Sequence, residues 1–324
     1  MIRASAPGKL MLAGEYVVIE RGVPALAVAV DRRLSVEVVP EAGRRQWLVT
    51  SPALALKDAQ LKAVPVLAEV VARVPGLPSG GRITVSSQLG EGADKPGLGS
   101  SAALCAAALA AFWRLSGASG PPDVHLAIAA HRASQGGRGS GYDVAASVHG
   151  GVTLFHPAQG SALPVIERLP WPAGLHAAVF RAGKGSSTVE FLGRMTSWRD
   201  EDPESFDACI EPLAAETLGL IGAFREGNVP QILDGLAQVQ EELQTMDRIG
   251  ELGILAGGQC QLLGLIEDAG AIGRTSGAGG GDCAWALTDD PGRLAAVAAS
   301  AAELGFSRLE VELGGAGLRV GDDA

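Results

Sequence analysis

The sequence contains little that could staple a fold from outside. Its four cysteines, Cys105, Cys209, Cys260 and Cys283, are scattered and form no CxxC pair. That argues against a disulfide framework and against a zinc site. Cys105 and Cys283 lie in apolar runs, where a free cysteine behaves as a small hydrophobe. Basic charge is also short. Lys and Arg number 26 against 36 Asp and Glu, giving a net charge of −10 and a pI near 5. Such a balance disfavours a nucleic-acid surface as the main function, yet leaves room for a local basic site that meets a small anion. Long hydrophobic runs are missing. The longest, over 102–113, falls short of the roughly 20 residues that a bilayer span needs. No leader pattern opens the chain, so the expectation is a soluble protein of the reducing cytoplasm, with no membrane and no nucleic-acid partner.

What is abundant is glycine, at 45 residues and without a G-X-Y period. Its clusters fall between apolar segments, where backbone turns sharply or approaches a ligand. The first 90 residues read mostly as strands, over 2–6, 10–13, 25–30, 34–39, 47–50 and 82–87. A helical period over 59–73 interrupts them. The alanine-rich stretch 100–115 predicts a helix apolar all round, hence buried. Asp123 reads as the N-cap of a helix reaching about 134. A short helix over 142–148 and a strand over 151–155 follow. Residues 157–173 carry four prolines and read as a linker. Beyond them come a strand at 176–180, amphipathic helices at 206–225 and 229–246, a strand at 283–287, a helix at 291–304 and a closing strand at 309–313. The chain is expected to form two α+β domains, 1–165 and 166–324.

Three glycine-rich loops concentrate the chemistry. The first, Pro96-Gly97-Leu98-Gly99-Ser100-Ser101-Ala102-Ala103, runs directly into the buried helix. Glycines let N–H groups curl around an anion, and the helix N-terminus adds unpaired donors and a favourable dipole. Ser100 and Ser101 add hydroxyls for phosphate or for a magnesium ion. No Gly-Lys-Ser/Thr follows, so this is not a Walker A loop, and no dinucleotide fingerprint is present. The second loop, Gly136-Gly137-Arg138-Gly139-Ser140-Gly141, delivers Tyr142 and Asp143. A carboxylate after a flexible loop with a cation five positions earlier suits phosphoryl transfer, where an aspartate often accepts a hydroxyl proton. The third is Ser276-Gly277-Ala278-Gly279-Gly280-Gly281-Asp282. Taken alone, each also has a purely structural reading. The first makes an N-cap turn, Asp143 an N-cap, and the third a tight turn. Lys9 stands at an expected strand–turn junction, where a lone lysine is often only a solvated group.

In this order, the segments resemble the GHMP kinase superfamily, which includes galactokinase, homoserine kinase, mevalonate kinase and phosphomevalonate kinase relatives. Its first motif resembles Ala6-Pro7-Gly8-Lys9 through Ala13-Gly14-Glu15-Tyr16, and the other two resemble the first and third glycine-rich loops. The resemblance implies a two-domain α+β fold. Its N-terminal α/β domain is ribosomal-protein-S5-like and its C-terminal α+β domain is ferredoxin-like. Within the superfamily the phosphomevalonate kinase branch is most similar. The supporting segments are Tyr16, where mevalonate kinases commonly have histidine, Ala130-His131 through Ala146, and Gly183-Lys184-Gly185-Ser186-Ser187-Thr188. The alternatives are a mevalonate kinase, another small-molecule kinase, a diphosphomevalonate decarboxylase or a non-catalytic nucleotide-binding relative.

The resemblance implies roles as well. ATP and Mg²⁺ are the expected cofactors. Pro96, Gly97, Leu98, Gly99, Ser100, Ser101 and Ala102 would hold the phosphates, with Ser100 or Ser101 on the metal. Lys9 and Asp143 would be catalytic, with the aspartate acting as general base or as electrostatic anchor. The substrate, phosphomevalonate, would meet Glu15, Tyr16, Arg138, Ser140, Lys184, Ser187, Gly279 and Gly280. One departure stands out. Mevalonate kinases carry a magnesium-binding glutamate about eleven residues before the catalytic aspartate, and that position here is Arg132.

Overall fold

A computed structural model describes residues 1–90, 96–158, 160, 162–183, 188–255, 258–277, 279–280 and 283–321. In chain order the elements begin with β1 (Ile2–Ala13), α1 (Val17–Glu20), β2 (Ala25–Pro40), β3 (Trp47–Ser51), β4 (Leu56–Gln60), α2 (Pro65–Arg73) and β5 (Gly81–Ser87). Then come α3 (Ser100–Leu115), α4 (Val124–Ser134), α5 (Tyr142–His149), β6 (Val152–His156), β7 (Val165–Leu169) and β8 (His176–Arg181). The chain continues with α6 (Thr188–Glu201), α7 (Pro203–Glu226), α8 (Val229–Gly250), α9 (Gln259–Asp268) and β9 (Ile272–Thr275). It closes with β10 (Cys283–Thr288), α10 (Pro291–Glu303), β11 (Ser307–Leu309) and β12 (Arg319–Val320).

Two compact units form, and neither is continuous in sequence. The first comprises Met1–Leu10, Ala27–Arg168 and Glu312–Ala324; the second comprises Met11–Leu26 and Leu169–Val311. The first unit's sheet runs β12-β1-β2-β5-β3-β4, with β6 pairing both β2 and β7. Strand β2 pairs antiparallel with β5, from Leu34 opposite Ser87 to Pro40 opposite Gly81, while β3 runs parallel to β5. Helix α3 is buried from Ala102 to Phe112, as its apolar circumference requires. Small alanine side chains let neighbouring elements approach it closely, and Phe112 sets its ring edge-on to Trp47. In the second unit β8–β11 make an antiparallel sheet of order β11-β8-β10-β9. Counted along the chain that order is 4-1-3-2, and the third glycine-rich loop is the connection between β9 and β10. Phe180, Leu262, Ile266, Ala284 and Val297 fill its core.

Several elements depart from the sequence pattern for identifiable reasons. Pro7 and Gly8 do not break β1, which runs unbroken from Ile2 to Ala13. A Cβ on Gly8 would stand 2.6 Å from both Leu89 Cδ2 and Leu98 O. That glycine therefore marks a close backbone approach rather than a turn, and Lys9 lies within a strand. Asp31 and Arg33 do not break β2. Asp31 accepts from the Glu312 amide, and Arg33 donates to Ser5 and to the carbonyls of Ala316 and Gly317. These polar side chains tie the chain's last segment to the first unit. The helix expected from 59 starts instead at Pro65, because Pro65 supplies a first-turn φ and residues 56–60 pair as β4 with β3. The proline-rich linker contains β7, which pairs β6. The closing strand ends at Leu309, and Leu313 instead bridges Val30.

Candidate active site

In the first unit, three segments meet around the phosphate-loop sequence. Gly97 and Gly99 each have φ of +74°, a conformation that costs an L-residue roughly 1–2 kcal/mol. Gly99 is the N-cap of α3, and no side chain caps the helix there. The first-turn amides of a 16-residue helix thus open outward with the positive end of its dipole. The Lys9 amide donates to Leu98 O at 2.9 Å, and a Cβ on Gly99 would lie 2.7 Å from Lys9 Cε. The lysine stem therefore fills the space that only a glycine leaves. Lys9 is buried, and its Nζ lies 5.5 Å from the centre of the Tyr142 ring.

Asp143 is not the N-cap of α5. Gly141 is, with φ of +96°, and a Cβ there would strike Ile128 at 2.5 Å. Asp143 stands in the first turn of α5. Its Oδ1 accepts from the Val144 amide at 2.9 Å. Its Oδ2 lies 3.6 Å from His131 Nδ1, and His131 Nε2 lies 3.0 Å from Ser101 Oγ. The Asp143 charge, after burial, also helps push the Cys105 thiol up to about 12. Ser140 Oγ accepts weakly from the Tyr142 amide at 3.4 Å. Arg138 and Arg132 are exposed, and neither guanidinium has a hydrogen-bond or ion-pair partner among the described residues.

The second unit carries the remaining predicted residues. Glu15 pairs with Arg274 at 3.0 Å, each side chain only 1% exposed. Arg274 also donates to Leu12 O at 2.9 Å. Ser276 Oγ accepts from the Met11 amide and donates to Met11 O, which clamps the start of the third loop. Gly280 donates to Ile254 O at 2.7 Å, and Asp247 holds the amides of Ile254 and Leu255 at 2.7 and 2.9 Å. A Cβ on Gly279 would stand 2.5 Å from Ile254 O. Tyr16 is buried at φ of +63°; burial, and next the Glu15 charge, raise its phenol well above the usual range. Lys184 and Ser187 lie outside the described residues, as do Ala278, Gly281 and Asp282 of the third loop.

Two ligand fits follow. The uncapped helix end with its two left-handed glycines suits a polyphosphate. For a divalent cation, no group of three His, Cys, Asp or Glu side chains gathers among the described residues. Serine hydroxyls are the available donors, which suits an Mg²⁺ that arrives on nucleotide oxygens and keeps several waters. Sequence reasoning gave no role to His131, although it falls on the buried face of α4 with Ala127 and Ile128. No described helix is long and apolar enough to cross a membrane.

The GHMP kinases N terminal domain matches residues 61–151. The phosphomevalonate kinase of a Streptomyces species is 30% identical, over 88% of this chain and 89% of its own. The mevalonate kinase of Thermococcus sibiricus is 29% identical, over 99% of this chain and 98% of its own. A solved structure of Streptococcus pneumoniae phosphomevalonate kinase, in complex with phosphomevalonate and AMPPNP, shares the fold. Its TM-score is 0.81 over 97% of this chain and 100% of that chain, at 19% identity.

Proposed function

The chain belongs to the GHMP kinases, and from that premise we propose that it transfers the γ-phosphoryl group of ATP to the terminal phosphate of 5-phosphomevalonate, yielding 5-diphosphomevalonate and ADP. The observation that carries this acceptor is Arg138. It is an exposed guanidinium, unpaired among the described residues, in the glycine loop that leads to Asp143. The protein as a whole carries ten more acidic than basic side chains. An unpaired arginine five positions before the candidate carboxylate suits a phosphate acceptor, since its fork binds phosphate oxygens bidentately. An alcohol acceptor needs no such clamp.

The amides of the first turn of α3, with Gly97 and Gly99, would receive the nucleotide phosphates. Bound Mg²⁺ supplies charge neutralisation between phosphoryl oxygens. Lys9, buried against Gly99, adds a fixed cation to the same end of the loop. The acceptor phosphate is already mostly ionised at neutral pH, with a second pKa near 6. Asp143 therefore has little proton to remove from it, and orienting the acceptor and the cations around it becomes its main task. Glu15, committed to Arg274, acts in the second unit by holding the base of the third loop.

The test is an assay of purified protein with ATP and, separately, phosphomevalonate, mevalonate, homoserine and galactose. Turnover with phosphomevalonate alone is expected. Turnover only with mevalonate, the substrate that the name of the Thermococcus relative indicates, would replace the acceptor and keep the kinase. Asp143→Asn should lower kcat by about 10²-fold, the scale of lost positioning, with little change in Tm. Arg138→Ala should raise KM for the phosphorylated acceptor about tenfold, the size of one lost charged hydrogen bond.

A further inference from the structure

His131 has no part in the scheme above, yet its ring lies against both Ser101 of the phosphate-loop helix and Asp143. It is 2% exposed and sits on the inward face of α4. Three groups face its ring. Asp143 Oδ2 stands 3.6 Å from Nδ1, Ser101 Oγ stands 3.0 Å from Nε2, and Gln135 Nε2 stands 3.4 Å from the same Nε2.

The chemistry of those groups selects a tautomer. An ionised carboxylate only accepts, so the nitrogen facing it carries the hydrogen. An amide NH₂ only donates, so the nitrogen facing Gln135 carries a lone pair. Both constraints give the neutral ring with hydrogen on Nδ1 and none on Nε2. Ser101 must then donate its hydroxyl proton inward to Nε2. Its oxygen turns only lone pairs outward, so it can accept at the helix mouth but cannot donate to a phosphate. The Ser100 hydroxyl has no hydrogen-bond partner among the described residues, so its proton is free for that purpose.

We propose that His131 is a positioning residue that couples the phosphate-loop helix to Asp143. Through Nδ1–H it sets the orientation of the carboxylate, and through Nε2 it fixes the direction of the Ser101 hydroxyl. The two serines thereby become chemically unlike, one an acceptor and one a donor. This inference rests on the reading of Asp143 as the residue beside the transferred phosphoryl group. At 3.6 Å the Asp143 contact is longer than a hydrogen bond, and such contacts often tighten when substrates bind.

Two isosteres separate the ring's two duties. Asn at 131 keeps a donor near the Nδ1 position and loses the acceptor for Ser101. Gln at 131 keeps an acceptor that reaches the Nε2 position and loses the donor for Asp143. We expect His131→Asn to weaken AMPPNP binding, measured by calorimetry, about tenfold, and to hold kcat within about threefold. We expect His131→Gln to bind AMPPNP within about twofold of wild type and to lose kcat about tenfold, each loss being of the order of one hydrogen bond. A second readout needs no variant to fold. In ¹⁵N-histidine-labelled wild type, the His131 ring should show a protonated Nδ1 and a bare Nε2. A protonated Nε2 overturns the proposal, as do two variants that change binding and kcat in the same proportion or leave both unchanged. Kinetics use whichever acceptor the wild type turns over. A wild type that turns over none refutes the kinase reading, and the ring's tautomer and AMPPNP binding then decide this inference by themselves.

Discussion

Breaking the Glu15–Arg274 pair should damage the protein asymmetrically, and the asymmetry can be worked from the structure. Both side chains are 1% exposed and 3.0 Å apart. Arg274 Nε and Nη1 and Glu15 Oε2 meet no hydrogen-bond partner among the described residues. Each charge therefore depends on the other for most of its compensation. Removing one partner of such a pair costs about 3–5 kcal/mol, a large share of the roughly 5–15 kcal/mol that holds a domain folded. The two single variants differ in what remains. Glu15→Ala leaves a buried guanidinium, which cannot shed its proton. Arg274→Met leaves a buried carboxyl, which can take one. The Glu15→Ala deficit should therefore exceed the Arg274→Met deficit. The double variant Glu15→Ala with Arg274→Met removes both charges and should be less destabilised than the sum of the two singles, with a coupling of about 2 kcal/mol or more. Urea unfolding followed by tryptophan fluorescence reads all four proteins. Additive single costs, or a Glu15→Ala deficit under about 1 kcal/mol, would refute the argument that this pair anchors the third loop.

Gly99→Ala places a side chain at φ of +74° and 2.7 Å from Lys9 Cε. AMPPNP affinity measured by calorimetry should fall about tenfold or more, since left-handed strain alone amounts to about 1–2 kcal/mol; an unchanged affinity would remove this loop from the nucleotide site. Iodoacetamide on the folded protein should label Cys260 alone, because Cys105, Cys209 and Cys283 are buried and burial raises the thiols of Cys105 and Cys209. Mass spectrometry showing a second early adduct would contradict that burial. Burial, and then the charge of Arg168, hold the His149 imidazole below its ordinary 6.5. The unfolded chain binds that proton first as pH falls, so stability should decline below about pH 6.5 and level off below the depressed folded value. Thermal melts of His149→Gln should show a flatter acid limb than wild type, and an identical limb would exclude this group as its source.

Much of this fold was legible where one physical signal dominated. An alanine-rich run without polar breaks has one stable home, a buried helix, and α3 is that helix. Asp123 could be read as an N-cap because an aspartate just before an apolar period has few other uses, and its carboxylate accepts from the His125 amide. The signal failed where one residue type serves two purposes. Pro7-Gly8 has the form of a turn, but Gly8 is there to let Leu98 approach β1. Asp31 and Arg33 have the form of a loop, but they bind backbone from residues 312–317, between 281 and 284 positions away. The discontinuity of the two units follows from the same long-range ties. Window reading contains no term for a strand whose two halves belong to different compact units.

The site shows the sharper limit. Counting back about eleven residues from Asp143, as the family resemblance directs, arrives at Arg132, an exposed side chain with no partner among the described residues. The side chain that meets Asp143 is His131, one position earlier. On a helix one residue is about 100° of rotation, the difference between the face of α4 that carries Ala127 and Ile128 and the face turned to solvent. Spacing along a sequence identifies which position a family fills with a ligand; helical phase identifies which residue of this chain reaches the carboxylate. The signal for His131 was present as a polar residue in phase with Ala127 and Ile128. A buried histidine in that phase also has an ordinary structural reading, and what separates the two is the chemistry on either side of its ring. A carboxylate at Nδ1 and a hydroxyl and an amide at Nε2 require opposite hydrogen-bonding roles of the two nitrogens. Only the folded arrangement of α3, α4 and α5 brings those roles onto one imidazole.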